Sequence, residues 1–235
     1  MKLYYDLHIH SGLSPCADKT MTPHNIAAMA KLKGLDVIAV TDHQSCGNCA
    51  AVMAVSARMD GPTVLPGLEI ESAEEIHLLC LMPDLTAASW IEKQVRDHLP
   101  DRPNRPEIFG EQLLFDENDH VIGRESCLLL QPCTLDCLSL ALLVADQGGV
   151  LIPAHVDRDA YSMLQTLGTI PADYPTRWLE YADPESTRFL VARMPQLRHF
   201  MPLYNSDAHR LGSISEKIHA LNVTDPLAIF SALRP

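Results

Sequence analysis

Positive charge is in short supply in this chain. Eighteen Lys and Arg stand against thirty Asp and Glu, a formal charge of −12. That excludes the broad basic face on which non-specific nucleic-acid binding depends, but not an acidic pocket loaded with cations. Aromatic residues make up only 6%, so a core has to be aliphatic. No apolar run is long enough to span a bilayer, and no secretory leader pattern precedes the first strand pattern. G-x-G-x-x-G and Walker sequences are absent, which removes the usual dinucleotide and P-loop readings. There is no internal repeat and no low-complexity tract. The seven cysteines are odd in number and scattered, unlike the framework of a stapled secreted domain. A cytoplasmic protein with reduced thiols and no membrane association is expected. Cys46 and Cys49 form a C-x-x-C without a second pair at zinc-site spacing, so they read as free thiols, with redox or zinc chemistry the lesser alternative.

What is present is an alternation of short apolar runs and helical patterns. Residues 3–9, 36–40, 63–71, 76–82, 150–154, 178–181 and 200–204 read as strands. Residues 22–34, 50–59, 87–99, 134–147, 184–193 and 226–233 read as helices, the first with a Thr22-Pro23 start and a Gly34 stop. The alternation implies parallel strands with helices outside, and about seven strands suit a closed or nearly closed barrel better than an open sheet. Residues 100–126 change character, with three prolines, three arginines and an acidic turn at 116–119 between two short apolar pieces. They read as an excursion carrying a hairpin.

Metal-ligand residue types recur where the strands end. His8 and His10 are two apart on the first strand, so both side chains share a face. His43 ends the second strand, Glu69 lies on the third, and His77 starts the fourth. His155 follows a later strand, Asp207 and His209 follow the last, and Asp18 lies in the loop beside the first pair. Any one histidine alone is more often structural. Nine such residues at strand ends point to a metal centre, because a barrel of parallel strands gathers its chemistry at one rim.

The successive motifs Asp6-Leu-His8-Ile-His10-Ser, Val-Thr-Asp-His43, Pro-Gly-Leu-Glu69, His77, Pro-Ala-His155 and Ser-Asp207-Ala-His209 resemble those of the PHP (polymerase and histidinol phosphatase) superfamily. The resemblance implies an α/β fold, a distorted (β/α)7 TIM-like barrel, as one domain over 1–235. The 84–126 segment is then an insertion or lid. It also implies two or three divalent ions, manganese, iron or zinc. His8, His10, Glu69 and Asp207 would hold the first, a bridging Glu69 with His77 and His155 the second, and Asp18, His43 and His209 the third.

The implied chemistry is phosphoester hydrolysis by a metal-activated water, with Glu69, Asp207, His209 and Arg158 in the catalytic machinery. Arginine forks suit phosphate, and Arg158 and Arg210 sit beside ligand motifs, so both are expected to bind substrate. Arg102, Arg105 and Arg124 are read either as lining a lid or as solvating a loop. The expected substrate is a small phosphorylated molecule, such as a nucleoside 3′,5′-bisphosphate, or the 5′ end of a short oligonucleotide. No stable nucleic-acid complex is expected. Three alternatives stay open: a non-catalytic metal-binding PHP module, a histidinol-phosphate-type phosphatase, and an amidohydrolase-type barrel. The last usually bridges its metals with a lysine, and no lysine stands at a strand end here.

Overall fold

The computed structural model describes residues 2–223, 225 and 228–234. The fold is mixed α/β. Strands β1 (Lys2–Ile9), β2 (Val37–Val40), β3 (Thr63–Glu71), β4 (His77–Leu81), β7 (Val150–Pro153) and β10 (Ala220–Asn222) form one curled sheet in the order β10-β1-β2-β3-β4-β7. Strands β8 (Trp178–Tyr181) and β9 (Met201–Tyr204) form a separate parallel pair. Backbone hydrogen bonds stitch the pair to both sides of the curl. Val156 N donates to Glu180 O at 2.9 Å, His10 N to Ala208 O at 2.9 Å, and Ala208 N to His8 O at 3.2 Å.

Strict parallel alternation, expected from the sequence, is broken at β4. It runs antiparallel to both β3 and β7. Only residues 72–76 separate β3 from β4, too few for the crossover that a parallel neighbour needs, so the chain must turn straight back. Helices α1 (Pro23–Leu32), α2 (Cys49–Arg58), α3 (Leu85–Arg96), α5 (Cys137–Asp146) and α7 (Pro184–Arg193) occupy the expected places. Helix α5 starts later than read because Asp136 accepts from Ser139 N and caps it there. Of the predicted closing helix, residues 226 and 227 lie outside the described residues, and α8 (Ile229–Leu233) accounts for the rest.

The core is two-layered. Leu3, Tyr5, Leu7, Val37, Ala39, Leu65, Leu79, Leu81 and Ile152 fill the inside of the curl, while Ile38, Val40, Leu68, Ile70 and Leu78 pack outward with the helices. The alternation along each strand decides which side chains face in. On β3, Leu65 faces in, so Glu69 and Glu71 do as well.

The excursion contains α4 (Pro106–Phe109) and the antiparallel hairpin of β5 (Leu113–Phe115) and β6 (Val121–Arg124). It braces the loop after β1. Leu113 N donates to Gly12 O at 2.8 Å. Gly110 has φ 103°, and a β-carbon there would lie 2.1 Å from Pro15 O, so only glycine fits. Buried Asn48 ties the parts together. Its Nδ2 donates to Ser11 Oγ at 2.8 Å and Leu113 O at 3.0 Å, and its Oδ1 accepts from Phe115 N at 2.9 Å. Asn48→Ala would leave those groups unpaired in the interior and is expected to cost about 1–3 kcal/mol. Urea unfolding would read this as a lower midpoint with an unchanged slope.

Candidate metal centre

His8 and His10 reach the interior because β1 is irregular. Leu3, Tyr5 and Leu7 face in, so plain alternation would send His8 outward. A register shift between Asp6 and Ile9 against β2 turns the strand and re-aims both imidazoles. Their outer nitrogens are fixed. His8 Nδ1 lies 2.9 Å from Glu180 Oε1 and must carry the proton it donates there. His10 Nδ1 lies 2.8 Å from Ser14 Oγ, whose own proton goes to Asp42 Oδ1 at 2.7 Å. In the neutral rings both Nε2 atoms are therefore lone-pair acceptors, and they face each other at 3.2 Å. Two lone pairs at that separation repel unless a cation or a proton lies between them.

Buried Glu69 is the centre of the cluster. Its carboxylate lies 2.9 Å from His43 Nδ1, 2.9 Å from His77 Nδ1, 3.2 Å from His155 Nε2, 3.3 Å from His8 Nε2 and 3.4 Å from His10 Nε2. Asp207 Oδ1 stands 3.0 Å from His10 Nε2, 3.4 Å from His8 Nε2 and 3.5 Å from His209 Nδ1. It is a buried oxygen with no hydrogen-bond donor. Three sets of ligand atoms lie within 4.8 Å of one another: His8, His10, Glu69 and Asp207; His43, Glu69 and His77; and His10, His43 and His209. Two of these residues sit on left-handed backbone, His155 at φ 29° and Asp207 at φ 49°. Non-glycine residues rarely adopt that region, and strain of this kind concentrates at sites that need an aimed side chain.

The electrostatics favour positive charge at this point. Burial alone would lower the pKa of His8, yet the carboxylates of Glu180, Glu69 and Asp207 outweigh it and hold the group well above its ordinary value. Burial would raise Glu69, but the His77, His8 and His43 imidazoles pull it well below the usual carboxylate range. Asp207 is depressed in the same way, against burial, by His8 and His10. Bare imidazole nitrogens, an oxygen without a donor and a field that welcomes cations together make a donor set that fits divalent metal ions.

The structure brings together eight of the nine expected ligands: His8, His10, His43, Glu69, His77, His155, Asp207 and His209. Asp18 is the exception. It is exposed, and its carboxylate accepts from Thr20 N at 2.9 Å and Thr20 Oγ1 at 2.8 Å. The Asx-type turn uses the side chain locally. Arg210 is exposed and lies in the field of Asp18 rather than at the cluster. Arg158 is where it was expected, its Nη1 2.6 Å from Asp207 Oδ2. It lines a cavity of about 550 Å³ that opens over His43, Glu69, His77, His155 and His209, with Tyr161 at the rim stacked on His77 at 4.6 Å. No residue of 84–126 lines that cavity. The excursion backs the β1 loop, Leu113 N donating to Gly12 O.

Four contributors escaped the sequence reading. Ser14 and Glu180 orient the imidazoles. Asn205 binds Glu180 Oε1 through Nδ2 at 2.7 Å and accepts from Leu7 N through Oδ1 at 2.8 Å. Burial would raise the Cys16 thiol pKa, but the His209 and His43 imidazoles bring it down to about 7. Glu180 had a signal: it is the one charged residue in a strand buried at all four positions. The C-x-x-C pair is inert by comparison. Both thiols are buried, and burial pushes Cys49 up to about 12. Glu180→Gln removes the acceptor charge behind His8 while keeping its shape. Metal affinity, measured by calorimetric titration, is expected to fall by roughly 10–100-fold with the fold intact.

No protein-family model matches the chain. An uncharacterized protein of Methanocaldococcus jannaschii is 27% identical over 152 residues, covering 64% of this chain and 16% of that protein. Among solved structures, the lesion-specific endonuclease EndoQ of Pyrococcus furiosus superposes with a TM-score of 0.64 at 20% identity, over 90% of this chain and 49% of its own. A Bifidobacterium adolescentis protein assigned as a metal-dependent phosphoesterase gives 0.58 at 18%, over 88% of both chains. An amidohydrolase of Chromobacterium violaceum gives 0.59 at 16%, over 99% of this chain and 98% of its own. The chain thus spans about half the endonuclease and under a fifth of the M. jannaschii protein. What these likenesses establish is architecture: the chain shares the fold of these solved structures.

Proposed function

We propose that this chain is a metal-dependent hydrolase of phosphoric esters, acting on a small phosphorylated substrate. The observation that carries the reading is the convergence of His8 Nε2 and His10 Nε2, 3.2 Å apart, on the carboxylates of Glu69 and Asp207. It lies beneath a cavity whose wall carries a guanidinium. His8, His10, Glu69 and Asp207 would hold one ion, and Glu69 with His77, His155 and His43 a second. His10, His43 and His209 would offer a third position. The strand ring β1-β2-β3-β4-β7-β8-β9 is read as a distorted seven-stranded barrel, one domain over 1–235 with 84–126 inserted.

Divalent ions bound there supply Lewis acidity toward phosphoryl oxygens and acidify a water. The rest is work for the chain's own groups. Glu180 and Ser14 keep the protons of His8 and His10 on Nδ1, so each Nε2 stays a ligand. Arg158 Nη1 holds Asp207, and its fork is placed to take the non-bridging oxygens of a phosphoryl group entering the cavity. Tyr161 stiffens His77 and narrows the mouth. A second groove of about 670 Å³ meets the first at Asp157, Arg158 and Asp159, and Phe189, exposed, forms part of its wall. It offers room for the leaving group.

A related solved structure holds a 27-mer duplex with an abasic lesion at the active site of endonuclease Q. The charge of −12 favours a nucleotide or a short oligonucleotide end here over duplex DNA.

Reconstitution with manganese, iron or zinc and assay on an aryl phosphate tests the function. Phosphate release that is abolished by a chelator and restored by metal is the expected result. A filled site with no release would assign the chain to the non-catalytic modules. Glu69→Ala is expected to lose both bound metal and turnover. Arg158→Ala should retain metal, measured by elemental analysis. Loss of a charged hydrogen-bond donor should lower kcat/KM by about 10–100-fold.

A further inference from the structure

Aromatic residues are scarce, at 6% of the chain, and those exposed among the described residues are Trp90, Tyr161 and Phe189. The last two line cavities that share Arg158: Tyr161 the one over the histidines, Phe189 the adjoining groove of about 670 Å³. A single apolar side chain on a convex surface is ordinary. An aromatic ring in a groove of small-molecule size, beside a candidate active site, is a recognition feature.

Helix α7 builds one wall of that groove. Glu185, Ser186, Phe189, Leu190 and Arg193 recur at helical spacing, so a single face of α7 lines it. Asp183 caps the helix, accepting from Glu185 N at 2.7 Å and Ser186 N at 2.9 Å, and so fixes where that face starts. The Arg193 guanidinium lies over the Phe189 ring, 5.3 Å from its centroid. It covers one face of the ring, which is still 60% exposed. The free face is a platform for stacking. Gln165 of α6 (Met163–Leu167) adds an amide that both donates and accepts.

Charge narrows the choice of occupant. Arg158 is engaged at the metal-centre end by Asp207 Oδ2 at 2.6 Å. The groove beyond it sets Arg193 against Asp157, Asp159 and Glu185. That balance disfavours a second anionic group and suits a neutral ring whose amino groups donate to carboxylates.

We infer that the groove seats a nucleoside, the leaving group of the ester, with its base stacked on Phe189 while the phosphoryl group lies at Arg158 over the histidines. Phe189 is then a specificity-determining residue, which sets a preference for nucleoside monophosphates over plain sugar phosphates. The inference rests on the phosphoesterase reading above and narrows its substrate class.

Calorimetric titration of the metal-loaded full chain with adenosine, which carries no phosphate, tests the groove apart from turnover, with ribose as the control. Adenosine is expected to bind and ribose not to. Phe189→Ala should weaken adenosine by roughly tenfold, the size of one base–aromatic stack, and Phe189→Trp should retain it. In turnover, Phe189→Ala should lower kcat/KM for adenosine 5′-monophosphate relative to ribose 5-phosphate by a similar factor.

No adenosine binding, or equal affinity in wild type and Phe189→Ala, would overturn the inference and leave the hydrolase standing. Adenosine binding that depends on Phe189, in a chain that releases phosphate from neither ester, would keep Phe189 as a nucleoside-binding residue and overturn the phosphoesterase reading.

Discussion

A single buried carboxylate organises the molecule. Glu69 is 1% exposed and meets five imidazoles from four different segments of the chain. A lone carboxylate in an apolar interior would be costly, and it is kept ionised only because positive charge or proton-bearing rings surround it. The reverse also holds. His8 and His10 cannot turn their lone pairs toward one another without something positive between them. Neither half of the cluster is stable alone, so the strand ends must converge for either to exist.

Convergence is enforced one layer out by three more buried carboxylates, each saturated with donors. Asp42 accepts from the amides and hydroxyls of Ser11 and Ser14, and so shapes the loop after β1. Asp6 accepts from Ser206 N, Ser206 Oγ and Ser215 N, shaping the loop after β9. Glu180 collects His8 Nδ1, His155 N and Asn205 Nδ2. Charge that is fully hydrogen-bonded rigidifies rather than merely stabilises. These groups act on the site by fixing backbone and ring orientation, with no need to touch a substrate.

Much of this was legible in the chain. Histidines and acids at the ends of apolar runs announce a rim of ligands, and the order of the motifs gave the fold type. What escaped has identifiable causes. The antiparallel turn at β4 was hidden because two apolar runs look alike whichever way they run; the short 72–76 link was the clue. The bulge in β1 leaves no mark in residue type, so His8 looked like a simple alternation partner of His10. Asp18 is a ligand by composition and a turn residue by position, and the local bond to Thr20 won. Glu180 sits far from every motif, and only its burial gives it away.

The bracing of the β1 loop by the hairpin has an evolutionary consequence. Residues 110–115 supply none of the clustered side chains, yet they pack against the turn that carries Ser14. Substitutions that accumulate in a partly exposed surface ribbon can therefore shift the imidazole that Ser14 orients while every clustered side chain is left unchanged. Relatives with identical histidines and acids need not hold them in one geometry.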